Sequence, residues 1–152
     1  MTTQEMRSGP VGLFGIVHQT QPDSKTCVQT CLAMALGVPV GKVIERYGND
    51  AMNQLALIAA LTECNFVWNQ MLTGMMVHEG WYFAAVPSLN HRGGMHEILT
   101  RYTRDDGWLV LDPAIGEKYK EDGSDLKSWA DLTPFWPGGR LPDAVRRKGL
   151  YD

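Results

Sequence analysis

Hydrophobic and polar positions change period once along the chain, after Trp68, and the change separates a helical half from a strand half. Cys27 to Leu36 (CVQTCLAMAL) is rich in helix formers, with Leu32, Ala33, Met34 and Leu36 supplying a buried face. Gly37 and then Pro39 close that helix, and Ser24 or Thr26 is placed to cap its first turn. Val40 to Tyr47 predicts a short second helix, with Val40, Val43, Ile44 and Tyr47 on one face and Gly48 at its end. Met52 to Cys64 predicts a third, mostly buried. Upstream of all three, residues 1 to 10 are polar, and Val11 to Val17 predicts a short strand.

Phe66 to Trp68 predicts a brief strand, and from there the pattern is β-rich. Trp81 to Val86 (WYFAAV) is stopped by Pro87. Met95 to Thr103 (MHEILTRYT) alternates, Asp105-Asp106-Gly107 is a hairpin turn signal, and Trp108 to Leu111 completes the hairpin before Asp112-Pro113. Asp125 to Asp131 predicts a surface helix. From Thr133 the chain holds three of its eight prolines and Gly138-Gly139. Pro134, Pro137 and Pro142 predict an extended arm that cannot join a central strand. Helices first and an antiparallel sheet second make an α+β domain over residues 1–132, followed by an extended C-terminal arm over 133–152.

Composition narrows the setting. The 152 residues suffice for one domain with its own core. A formal net charge of −3 offers no basic field for nucleic acid. No apolar run approaches the roughly 18–20 residues that a membrane span needs, so none is expected. The N-terminal residues lack a basic stretch followed by an apolar one, so no secretory signal is expected. Three cysteines do not make a disulfide framework, and a reducing cytoplasm is the expected location. Cys27 and Cys31 stand four apart, but zinc needs two further ligands and none is arranged for it. No metal or cofactor is therefore expected. His18, His78 and His91 have no partners at ligand spacing, and Gly93-Gly94 reads as a loop hinge.

The chemistry gathers on three residues. The polar loop QPDSKT delivers Cys27 to a helix N-terminus, where unpaired N–H groups and the macrodipole favour an anion. Such a thiol is disposed to be a thiolate nucleophile. His96 and Asp112 flank a hairpin and so lie on adjacent strands. Acyl transfer at a thiol needs a nucleophile, an imidazole, a group that orients the imidazole, and donors for the oxyanion. Cys27, His96 and Asp112 fill the first three roles. Gln21, six residues before Cys27, supplies a side-chain amide for the fourth, together with the Cys27 backbone N–H. Each has a plainer alternative: a structural histidine, a turn-forming Asp before Pro113, a small core thiol. The core role is assigned to Cys31 and Cys64.

Gln21, Cys27 and the following TCLAMAL, together with MHEILTRYTRDDGWLVLDPAIG, resemble the papain-like cysteine peptidases. Within these they are most similar to the double-glycine leader peptidases that process bacteriocin precursors. The resemblance spans roughly residues 15 to 132. It implies a papain-like fold, N-terminal helices carrying the cysteine packed on a sheet carrying His and Asp. It also implies Cys27 as nucleophile, His96 as base, Asp112 as orienter and Gln21 as oxyanion donor, acting on a peptide or protein substrate. Two positions depart from the family pattern: Thr26-Cys27-Val28 replaces Asp-Cys-Gly, and Glu97 follows the histidine where the family has an apolar pair. Both bear on substrate choice. The expected activity is a cysteine peptidase or isopeptidase. The alternatives are an acyltransferase or transglutaminase with the same triad, or a silent binding or inhibitory module of the same fold.

Overall fold

A computed structural model describes residues 16–69, 79–126 and 131–137. Three helices come first: α1 (Cys27–Leu36), α2 (Val40–Tyr47) and α3 (Gln54–Glu63). Five strands follow: β1 (Phe66–Trp68), β2 (Gly80–Pro87), β3 (Met95–Thr103), β4 (Gly107–Leu111) and β5 (Asp131–Pro137). They form one antiparallel sheet in the order β1-β5-β2-β3-β4. The class is therefore α+β.

Local chemistry accounts for the helix ends. Gly37 takes the left-handed conformation at φ 72°, and its N–H bonds back to the carbonyls of Ala33 and Met34, which stops α1. Helix α3 starts at Gln54 rather than Met52 because the Asn53 side chain accepts from the Ala56 N–H at 2.9 Å. Its burial is narrower than the apolar composition suggests. Leu57, Ala60 and Leu61 face inward, whereas Leu55 is 79% exposed.

The core lies between the helices and one sheet face. Trp81 and Phe83 of β2, Leu99 of β3, Phe135 of β5 and Phe66 of β1 pack with Cys31, Leu32 and Ala35 of α1. Every α1 residue from Val28 to Ala35 is buried. Gln29 is tolerated there because its amide donates to the carbonyls of Gly48 and Asp50. The other sheet face carries Tyr82, Ala84, Val86, Ile98, Val110 and Leu132, closed by Tyr119. The period of two along β2 and β3 thus buries both faces.

Two expectations change, and others fall outside the described residues. The arm placed at 133–152 does not begin there: residues 133–137 end β5, which pairs with β1 on one side and β2 on the other. Pro134 is compatible with this central position because its carbonyl accepts from the Asn69 N–H at 3.1 Å, just past the end of the short β1. In an antiparallel ladder a residue's N and C=O point the same way, so the missing donor faces a partner strand that has already ended. The surface helix set at 125–131 has Asp125 in a turn and Asp131 opening β5, and the residues between 127 and 130 lie outside the described residues. Most of the strand expected at Val11 to Val17, the histidine at 78 and the remainder of the arm lie outside them too. Ile16 and Val17 belong to no regular element.

Candidate active site

Asp23 organises the approach to α1. Its carboxylate accepts from the Lys25 N–H at 2.8 Å and the Thr26 hydroxyl at 3.0 Å. Thr26 is the N-cap residue, yet its side chain makes no cap hydrogen bond, and Ser24 does not replace it. The hydroxyl expected to cap the helix is spent on the preceding turn. The α1 N-terminus thus takes no side-chain acceptor at the point where half-buried Cys27 stands.

His96 and Asp112 meet as their positions across the hairpin predict, although Asp112 lies just past β4 rather than within it. His96 Nε2 is 2.6 Å from Asp112 Oδ1, with both side chains largely buried. An ionised carboxylate only accepts, so the ring carries its proton on Nε2. Asp112 accepts two further bonds, from the Ala114 N–H at 2.9 Å and the Tyr119 N–H at 2.8 Å. Burial alone would raise the Asp112 carboxyl; the His96 hydrogen bond and the two backbone donors outweigh it and hold the group below its usual range. For His96, burial opposes the charged ring. Hydrogen bonds to Asp112 and Cys27, with the charges of both, overcome it and push the imidazole up to about 9. Cys27 thus bears on the ring electrostatically, from the wall of the cavities that both line.

Gln21 comes to the same place. Its backbone N–H donates to the Pro113 carbonyl at 2.8 Å, which ties the loop before α1 to the turn after β4. Its side-chain amide donates to the Asp23 carbonyl at 2.7 Å, and the amide NH₂ carries a second hydrogen. Two cavities, of about 390 and 270 Å³, share Ser24, Cys27, Met95 and His96 in their walls. Gln21 lines the smaller of the two. Gln21, Cys27 and His96 therefore line one cavity, and Asp112 stands behind it against the His96 ring.

Cys31 lies one helical turn beyond Cys27 and is fully buried, its thiol donating to the Glu97 carbonyl at 3.4 Å. Burial above all, with the charges of Glu97, Cys27 and Asp112 adding, pushes that thiol well up. It is a core residue.

The sequence left several supports unseen. The loop from Ala114 to Tyr119 wraps the Asp112 carboxylate, and the Tyr119 hydroxyl pins it by donating to the Pro87 carbonyl at 2.6 Å. Asn90 clamps the same loop through both sides of its amide, to the Glu117 N–H and C=O. His18 contacts the Asp112 carbonyl at 2.7 Å. The only local signal for this wrap is Gly116, at φ 86°.

No protein-family model and no curated protein sequence matches the chain. Among solved structures, it is similar to a double glycine motif protease from an AMS/PCAT transporter, determined in complex with the leader peptide. The match has a TM-score of 0.52 at 16% identity and covers 80% of this chain and 91% of the other. The fold is that of a double glycine motif protease. Among the described residues no single helix is long and apolar enough to cross a membrane.

Proposed function

We propose that the chain is a papain-like cysteine peptidase that cuts an amide bond of a peptide or protein through a Cys27 thioester. The observation that carries this reading is the 2.6 Å His96–Asp112 pair beside a cysteine at the head of α1, in the wall of a cleft. Cys27 Sγ attacks the substrate carbonyl carbon while the imidazolium of His96 stands by. The tetrahedral oxyanion is met by the Cys27 backbone N–H and the Gln21 side-chain amide. His96 then gives its proton to the departing amine as the C–N bond breaks, leaving the thioester. Water, deprotonated by His96, attacks the thioester, and the acid and the free thiol are released. Asp112 keeps the ring in the one tautomer and orientation that serve both steps.

Alkylation with iodoacetamide, read by mass spectrometry of the digested protein, tests the assignment. Cys27 is expected to react before Cys31 and Cys64 at neutral pH, and His96→Ala is expected to slow that reaction at pH 6. Preferential labelling of Cys31, or a rate indifferent to His96, overturns the reading.

A further inference from the structure

Glu97, directly after His96, is the departure from the family pattern that the mechanism leaves unused. Ala85 of β2 pairs with Glu97 of β3 on one side and with Asp131 of β5 on the other. Cross-strand partners share a sheet face, so the two carboxylates flank Ala85 in one row. Both line the cavity of about 390 Å³ that also holds Cys27 and His96. Glu97 is only 5% exposed. Its carboxylate has no hydrogen-bond or ion-pair partner among the described residues. A buried, unpaired carboxylate is costly, and here a second one stands nearby.

The cavity's own cations are otherwise engaged. Lys25 reaches Asp50 at 3.6 Å on the exposed rim, and His96 is held by Asp112. Burial pushes the Glu97 carboxyl up to about 8, against the opposing pull of His96 and with a smaller push from the charge of Asp131. A cation arriving from outside would reverse that penalty. Val28, Met52 and Ala85 line the same cavity and offer apolar contact for a methylene stem. An apolar wall with carboxylates suits a long side chain ending in a charge better than a bare metal ion.

We propose that Glu97 and Asp131 form an acidic subsite beside Cys27 that takes the Lys or Arg side chain of a substrate residue close to the bond that is cut. The subsite deepens the peptidase reading and rests on it. Irreversible peptidyl vinyl sulfones carrying lysine or norleucine at the first or second residue from the reactive group test it. Labelling of Cys27 is followed by intact mass. At one of the two positions the lysine probe is expected to react with the wild type roughly tenfold faster than its norleucine twin. That ratio is expected to fall toward one in Glu97→Gln and in Asp131→Asn; the second substitution keeps the test open if the first does not fold. Equal wild-type rates at both positions, or a lysine preference that survives both substitutions, overturns the subsite. Iodoacetamide on the wild type separates the two levels: if Cys27 reacts no faster than Cys31 and Cys64, the peptidase reading fails and the subsite goes with it.

Discussion

Asp112 gathers three donors on one buried carboxylate, the His96 ring and the N–H groups of Ala114 and Tyr119. Removing it strands a protonated ring in a largely buried site, so Asp112→Ala is expected to cost about 3–5 kcal/mol of folding stability. The pH dependence has a definite sign. His96 is raised from 6.5 to about 9, so its contribution is whole below pH 6.5 and is lost as pH rises through 9. Asp112 is lowered from 3.8, so its contribution is whole above 3.8 and is lost as pH falls through the depressed value. The gap between wild type and Asp112→Ala in urea denaturation is therefore expected to be widest between pH 3.8 and 6.5 and to narrow toward pH 9. Gln21 poses a kinetic question at the same scale. If its amide serves the oxyanion, Gln21→Ala lowers kcat by roughly 10²–10³ with KM nearly unchanged. A change confined to KM would remove Gln21 from that role.

At the scale of elements, the hairpin β3–β4 brings His96 and Asp112 together, and the loop after β4 holds them there. Gly116 sets that loop. A Cβ at Gly116 would lie 2.6 Å from Asn90 Oδ1, the acceptor for the Glu117 N–H, and the backbone is at φ 86°. Gly116→Ala is expected to cost about 1–2 kcal/mol from the positive φ alone. It is also expected to reduce hydrolysis, because the segment that bonds the Asp112 carboxylate shifts. Circular dichroism melts and turnover measured side by side check both halves. Unchanged activity at lowered stability would show the loop to be a structural tie only.

At the scale of the molecule, β5 carries more than its late place in the chain suggests. Phe135 is fully buried, with its ring centroid 5.4 Å from that of Phe66 and 4.4 Å from that of Phe83. Its strand pairs with β1 and β2 along the middle of the sheet. Phe135→Ala is expected to cost about 3–5 kcal/mol. A chain ended at residue 132 is expected to lose the cooperative thermal transition altogether. A sharp melt in that truncated chain would return residues 133–137 to the status of an arm.

Much of this protein is written locally. The bounds of α1, α2, β1 and β3 follow from Gly37, Gly48, the turn at Asp105-Asp106-Gly107 and the change of hydrophobic period, all of which act within a few residues. The cysteine at a helix head and the histidine and aspartate on either side of a hairpin are local too, since a tight turn fixes which residues face each other. What the tertiary structure decided depends on partners distant in sequence. Whether Pro134 breaks a sheet depends on where β1 ends, and β1 lies far upstream of it. Whether Asp112 is more than a turn former depends on a loop that folds back onto it, on His18 at its carbonyl and on Asn90 bracing that loop at Glu117. Whether Glu97 stands alone or shares its cavity with a second carboxylate depends on Asp131, brought into the same row across Ala85 only by the pairing of β5 with β2.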